Sequence, residues 1–120
     1  MRGPTTWHSE SLTSVRDLLT VDPRGLQSRV DNAEQRRCRG ADPDDFFPAD
    51  GARFLGPEAL DAERARVAGL CHGCPVRREC LAAALTRDEL YGSWGGITQP
   101  DYQMIRRLRR EQLAAERNAA

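Results

Sequence analysis

Four cysteines constrain this chain more than any other feature: Cys38 stands alone, and after a gap of 32 residues come Cys71, Cys74 and Cys80. They matter because little else can hold the fold. Of 120 residues, 39% are apolar and 6% aromatic, so a core has few large side chains to draw on, and small domains bury the least surface per residue. A chain of this length is one domain at most, and a covalent or metal staple is expected. Structural disulfides would need an oxidising compartment. The N-terminus lacks the charged, apolar, small-residue succession of an export signal, and no window approaches the roughly 18 apolar residues of a membrane span, so a cytoplasmic protein without membrane attachment is expected. Zinc modules usually bring two close cysteine pairs. An iron-sulfur cluster commonly joins a compact run of ligands to one remote ligand, which fits Cys38 with the other three. The spacing leans toward a cluster but leaves a zinc-stapled interaction module open, since both accept four thiolates. His72 reads as a solvated loop residue. Cys71-x2-Cys74 also permits a thiol-disulfide oxidoreductase acting in the apo form, although a helix rather than a strand precedes the motif. No Ser-His-Asp set, phosphate loop or carboxylate pair stands out, so the chain does not read as an enzyme.

The charges balance, with 18 basic residues, all arginine, against 18 acids. Their distribution is uneven. Residues 38–70 carry four arginines and seven acids, whereas residues 101–120 carry five arginines and three acids. A basic tail suits nucleic acid, but a neutral total argues against coating DNA by charge alone.

The pattern along the chain predicts an all-α fold of about four to five short helices. Residues 1–37 read as a partly ordered arm, with one amphipathic helix over Leu12, Val15, Leu18 and Leu19 ending near Asp22-Pro23, and a second over Leu26–Arg37. Trp7 and His8 lie outside any pattern. Residues 38–97 read as the staple-bearing core. Its Cys38–Pro57 stretch is loop, with Phe46, Phe47, Phe54 and Leu55 folding inward and Asp42, Asp44 and Asp45 forming turns. After Pro57, Leu60, Val67 and Cys71 mark a helix, Gly73 a tight turn, and Pro75 the start of another helix carrying Val76, Cys80 and Ala83. Tyr91-Gly92-Ser93-Trp94-Gly95-Gly96-Ile97 gives a turn able to adopt positive φ. Trp94 at its tip fits either core packing or an interface anchor. Residues 98–120 read as a basic helix and tail. There Thr98 and Asp101 are spaced as a capping box, and Tyr102, Ile105 and Leu108 form an apolar stripe. Arg106, Arg110 and Arg117 fall within about 40° of one another on a helical wheel. With Arg107 and Arg109 they make candidate phosphate contacts.

A loop cysteine followed by DPDDFFP, then Cys-x2-Cys-Pro with another cysteine six positions after Cys74, then G-S-W-G-G and a basic helix resembles the WhiB-like family of actinobacterial regulators over roughly Cys38 to Arg110. The resemblance implies a mainly helical protein holding a 4Fe-4S cluster on Cys38, Cys71, Cys74 and Cys80, and regulating transcription in response to oxygen or nitric oxide. It further implies binding to region 4 of the primary sigma factor within RNA polymerase, through Trp94 and its glycine turn (Gly92, Gly95, Gly96) with Phe46 and Phe47 in support. No small-molecule substrate is implied. Two departures stand out. Ser93 replaces the β-branched aliphatic residue usual before the Trp, removing apolar area, and the tail lacks the Arg-Gly-Arg-Pro hook by which some relatives enter the minor groove. Promoter DNA contacts therefore fall to Arg106, Arg107, Arg109, Arg110 and Arg117. Cluster and fold are expected to be coupled.

Overall fold

Prolines and short polar side chains set where the helices of this chain begin. In the computed structural model, which describes residues 3–36, 38, 40–46 and 56–119, α2 (Pro23–Asn32) opens on Pro23 with Asp22 as its cap, the carboxylate accepting the Arg24 N–H at 3.0 Å. α3 (Pro57–Cys71) likewise opens on a proline, after Gly56 at φ 77°. The cap of α1 (Thr6–Ser14) is less usual, because His8 takes the place normally held by Glu or Gln in a capping box, its Nδ1 accepting the Thr5 N–H at 2.8 Å. α4 (Arg77–Thr86) and α5 (Asp101–Ala119) complete the all-α architecture. Among the described residues there is no strand, and Trp94 and Ile97 form an isolated bridge. None of the described helices is long and apolar enough to cross a membrane.

α4 lies at the centre. Five consecutive residues, Leu81 to Leu85, are buried, so the helix is apolar around most of its girth and must be surrounded. The three alanines in that run let its neighbours approach closely. α2 packs on α4 and α1 packs on α5. Leu12, Val15, Leu18, Leu19 and Leu26 meet Leu81, Leu85, Tyr102 and Ile105 in a single core. The N-terminal stretch, expected as a partly ordered arm, thus contributes a large share of the buried apolar surface.

The local expectations fare unevenly. α3 spans the region marked by Leu60, Val67 and Cys71, and Tyr102 and Ile105 of the predicted stripe are fully buried. The helix expected over Leu12 to Leu19 instead breaks after Ser14, and Arg16–Leu18 form a separate 3₁₀ turn. The second expected helix runs Pro23–Asn32 rather than Leu26–Arg37. α4 begins at Arg77, two residues after Pro75. The Thr98–Asp101 capping box does not form, because both side chains are committed elsewhere: the Thr98 hydroxyl accepts from Ser93 Oγ at 2.7 Å, and the Asp101 carboxylate engages His8 and Arg64. Asp42 behaves as a turn former, its carboxylate accepting the Asp44 N–H at 3.0 Å. Phe47, Phe54 and Leu55 lie outside the described residues.

Candidate metal centre and Trp turn

Three of the four cysteines are set by one helix-turn-helix corner. Cys71 is the last residue of α3, Gly73 turns the chain at φ 73°, and the Cys74 N–H returns to the Cys71 carbonyl at 3.1 Å. Cys80 then sits in the first turns of α4, its N–H on the Val76 carbonyl at 2.8 Å. Cys38 lies in an exposed turn closed by the Ala41 N–H on its carbonyl. Arg66 of α3 helps place the following 3₁₀ turn, Pro43–Phe46, by donating to the Asp45 carbonyl at 2.8 Å. All four cysteines are free thiols.

Burial decides their protonation. It pushes the Cys80 thiol up to about 11, against a pull from the Gly95 backbone N–H, and raises Cys71 as well, against a pull from the Gly96 N–H and the Arg77 charge. Cys71 feels the charges of Cys74 and Cys38, and Cys80 those of Cys71 and Cys38. The thiols therefore share one electrostatic neighbourhood. They do not converge as ligands of a single ion do: among the described residues no group of three or more His, Cys, Asp or Glu is spaced to hold a metal ion. The expectation of a helical domain stapled around four cysteines is met as far as its helices. A raised rather than lowered Cys71 thiol also runs against the activated nucleophile of an oxidoreductase.

The glycine turn forms one wall of this neighbourhood. Gly92, Gly95 and Gly96 take φ of 102°, 61° and 82°, conformations that side chains with a Cβ rarely adopt. Trp94 and Ile97 exchange backbone hydrogen bonds at 2.9 and 3.1 Å, and the indole N–H donates to the Tyr91 carbonyl at 2.8 Å. The Arg87 guanidinium lies 4.8 Å from the centroid of the Trp94 ring. Trp94 is half-buried, packing against the core rather than projecting freely. Beside it Tyr91 and Leu90 are 69% and 49% exposed, an apolar pair that no sequence pattern marks. Ser93 is buried, so its missing aliphatic group is absent from the interior rather than from a partner surface. Phe46 is partly buried at the end of its 3₁₀ turn, and Phe47 lies outside the described residues.

The candidate arginines divide by what already holds them. Arg106 is bracketed to Asp88 at 2.8 and 3.1 Å, and this hydrogen bonding holds the Asp88 carboxyl below its ordinary value. Arg107 pairs with Glu111 one helical turn on. Arg109 is partly buried with Nε unpartnered, whereas Arg110 and Arg117 are exposed and have no ion pair among the described residues.

Sequence reasoning missed a buried polar knot on the other side of the turn. Because His8 Nδ1 accepts from Thr5, its proton sits on Nε2 and is donated to Asp101 Oδ1 at 3.0 Å. Arg64 donates to both oxygens of Asp101, at 2.8 and 3.3 Å. His8 and Asp101 are far apart in the chain, and no local periodicity marks either. The knot and the glycine turn both line a cavity of about 570 Å³ between α1, α3 and α4.

Comparison with known proteins gives this arrangement its setting. Residues 33–105, which include all four cysteines and the Trp turn, match the family described as Transcription factor WhiB. Among curated proteins the chain is 38% identical over 78 residues to transcriptional regulator WhiD of Streptomyces coelicolor, an alignment covering 65% of this chain and 67% of that one. It is 32% identical over 96 residues to transcriptional regulator WhiB2 of Mycolicibacterium smegmatis, covering 80% and 65%. It is 36% identical over 68 residues to redox-responsive transcriptional regulator WhiB3 of the same species, covering 57% and 68%. The chain thus spans about two thirds of the length of these relatives, and no solved structure matches it. The cysteine spacing, the glycine-bounded Trp and the helical core all lie within the matched segment, and the chain belongs to the WhiB family of transcription factors, which are regulators rather than enzymes.

Proposed function

We propose that this protein is a cytoplasmic regulator that holds a 4Fe-4S cluster on Cys38, Cys71, Cys74 and Cys80, binds region 4 of the primary sigma factor through the Trp94 turn, and reaches promoter DNA through the arginines of α5. The observation that carries this reading is the contact between the two halves of the site: the turn bearing Trp94 directs its Gly95 and Gly96 amides at Cys80 and Cys71. Backbone N–H groups aimed at sulfur favour thiolate and tune clusters held by thiolates. When bound, such a cluster supplies an oxidisable centre. The protein's own part is to bury Cys71 at the end of α3, to set Cys80 against the turn, and to leave Cys38 exposed. The name of the relative WhiB3 describes it as redox-responsive, a property consistent with such a site.

The test is anaerobic co-expression with sigma region 4, followed by iron, sulfide and zinc analysis of the complex. Iron and sulfide near four each per chain are expected, and replacing any one of the four cysteines by Ala should abolish stable iron binding. Stoichiometric zinc without iron would establish the zinc-stapled module instead.

A further inference from the structure

Arg77 is the first residue of α4 and faces the glycine turn at very short range. Its Nε–H donates to the Gly95 carbonyl at 2.8 Å. A Cβ built on Gly96 would lie 2.5 to 2.9 Å from Nη2, Cζ and Nε of the same guanidinium, and one on Gly95 would lie 2.5 Å from the Arg77 carbonyl oxygen. The two glycines are therefore what allow the arginine and the turn to lie against each other. Among the described residues Arg77 has no carboxylate partner. A cation is thus committed to one neutral carbonyl, a stronger bond than a neutral donor would give.

The identity of that carbonyl is decisive. The Gly95 C=O and the Gly96 N–H belong to one planar peptide group, and in a trans peptide they point in opposite directions. Arg77 holds the oxygen side, while the N–H side is directed at Cys71. Hydrogen bonds on the two ends of one peptide strengthen each other. The preceding peptide places the Gly95 N–H toward Cys80, and the residue before it is Trp94.

We propose that Arg77 is the positioning residue that ties the Trp94 turn to the cysteine-bearing corner, so that the thiol site and the tryptophan offered to sigma keep one fixed geometry. The sigma-directed part rests on the function proposed above, whereas the tie itself does not. Full-length Arg77→Lys keeps the charge and the aliphatic stem but loses Nε–H and the planar group, and Arg77→Gln removes the charge as well. Hydrogen exchange of the reduced, iron-free protein reads the turn directly. In both variants the Trp94 to Ile97 amides should exchange roughly tenfold or more faster, while amides of α2 and of the Leu81 to Leu85 segment keep their protection. Unchanged exchange in the turn overturns the proposal. So does loss of protection throughout both variants, which would make Arg77 a general fold residue.

A second arm uses anaerobically loaded protein. Where the wild type binds sigma region 4, Arg77→Lys with full iron content should bind roughly tenfold more weakly, a loss of about 1.4 kcal/mol. Wild-type affinity in that variant overturns the link to Trp94. A wild type that takes up no iron or binds no sigma refutes the proposed function and leaves the exchange result standing.

Discussion

A thiol enclosed by a helix and a backbone turn keeps its proton well past the pH at which a free one loses it. Cys80, raised to about 11 chiefly by burial, and Cys71, raised in the same direction, make the metal-free fold pH-sensitive in a calculable sense. In the unfolded chain these thiols ionise near pH ~8.5. The folded state binds more protons above that point, so stability is unaffected below it and falls as pH rises toward 11. The urea midpoint of reduced, iron-free protein should drop across that window, and Cys80→Ser should remove part of the drop; a flat midpoint contradicts the burial of these thiols. The helix-turn-helix corner that carries Cys71, Cys74 and Cys80 was legible, because Pro57, Gly73 and Pro75 punctuate it. The role of Ser93 was not, since it reads as lost apolar area but hydrogen-bonds inside the fold to Thr98, nor was that of His8, whose partner Asp101 is remote in the chain.

At the level of elements, the two glycine-dependent turns make a matched experiment. Gly73 and Gly95 both take positive φ, 73° and 61°, but the space around Gly73 is open whereas a Cβ on Gly95 would strike the Arg77 carbonyl. Gly73→Ala should therefore cost only the left-handed penalty, about 1 to 2 kcal/mol. Gly95→Ala adds a clash with backbone that cannot swing aside and should exceed about 3 kcal/mol, as read from denaturant unfolding. Equal losses would mean that the turn does not pack on α4 as described. The longer helices α3 and α5 were legible from periodicity, because Leu60, Val67 and Cys71 or Tyr102, Ile105 and Leu108 each mark one face. The break after Ser14 was not, since Leu12, Val15, Leu18 and Leu19 fit a single helix equally well. Tertiary packing decides it, with α1 needed on α5 and α2 on α4.

For the molecule as a whole, charge distribution governs how α5 meets a polyanion. Neutralising Arg107, Arg110 and Arg117 together should weaken promoter binding by the sigma complex on every sequence and lower its salt slope by about one for each phosphate left without its arginine. Arg106→Ala alone should change the slope less, because Asp88 already balances that charge. An unchanged slope in the triple variant would return these residues to a solvated face. The knot at the other end of α5 bears on how the chain is made. His8 and Asp101 meet across 93 positions of sequence, and α1 packs on α5. Translation proceeds at about 5 to 20 residues per second, so this pairing must wait until both of its segments have been made. Non-local contacts of this kind slow folding. The contact of α1 with α5, which carries the buried His8–Asp101 pair, therefore forms late relative to contacts between segments closer together in the chain.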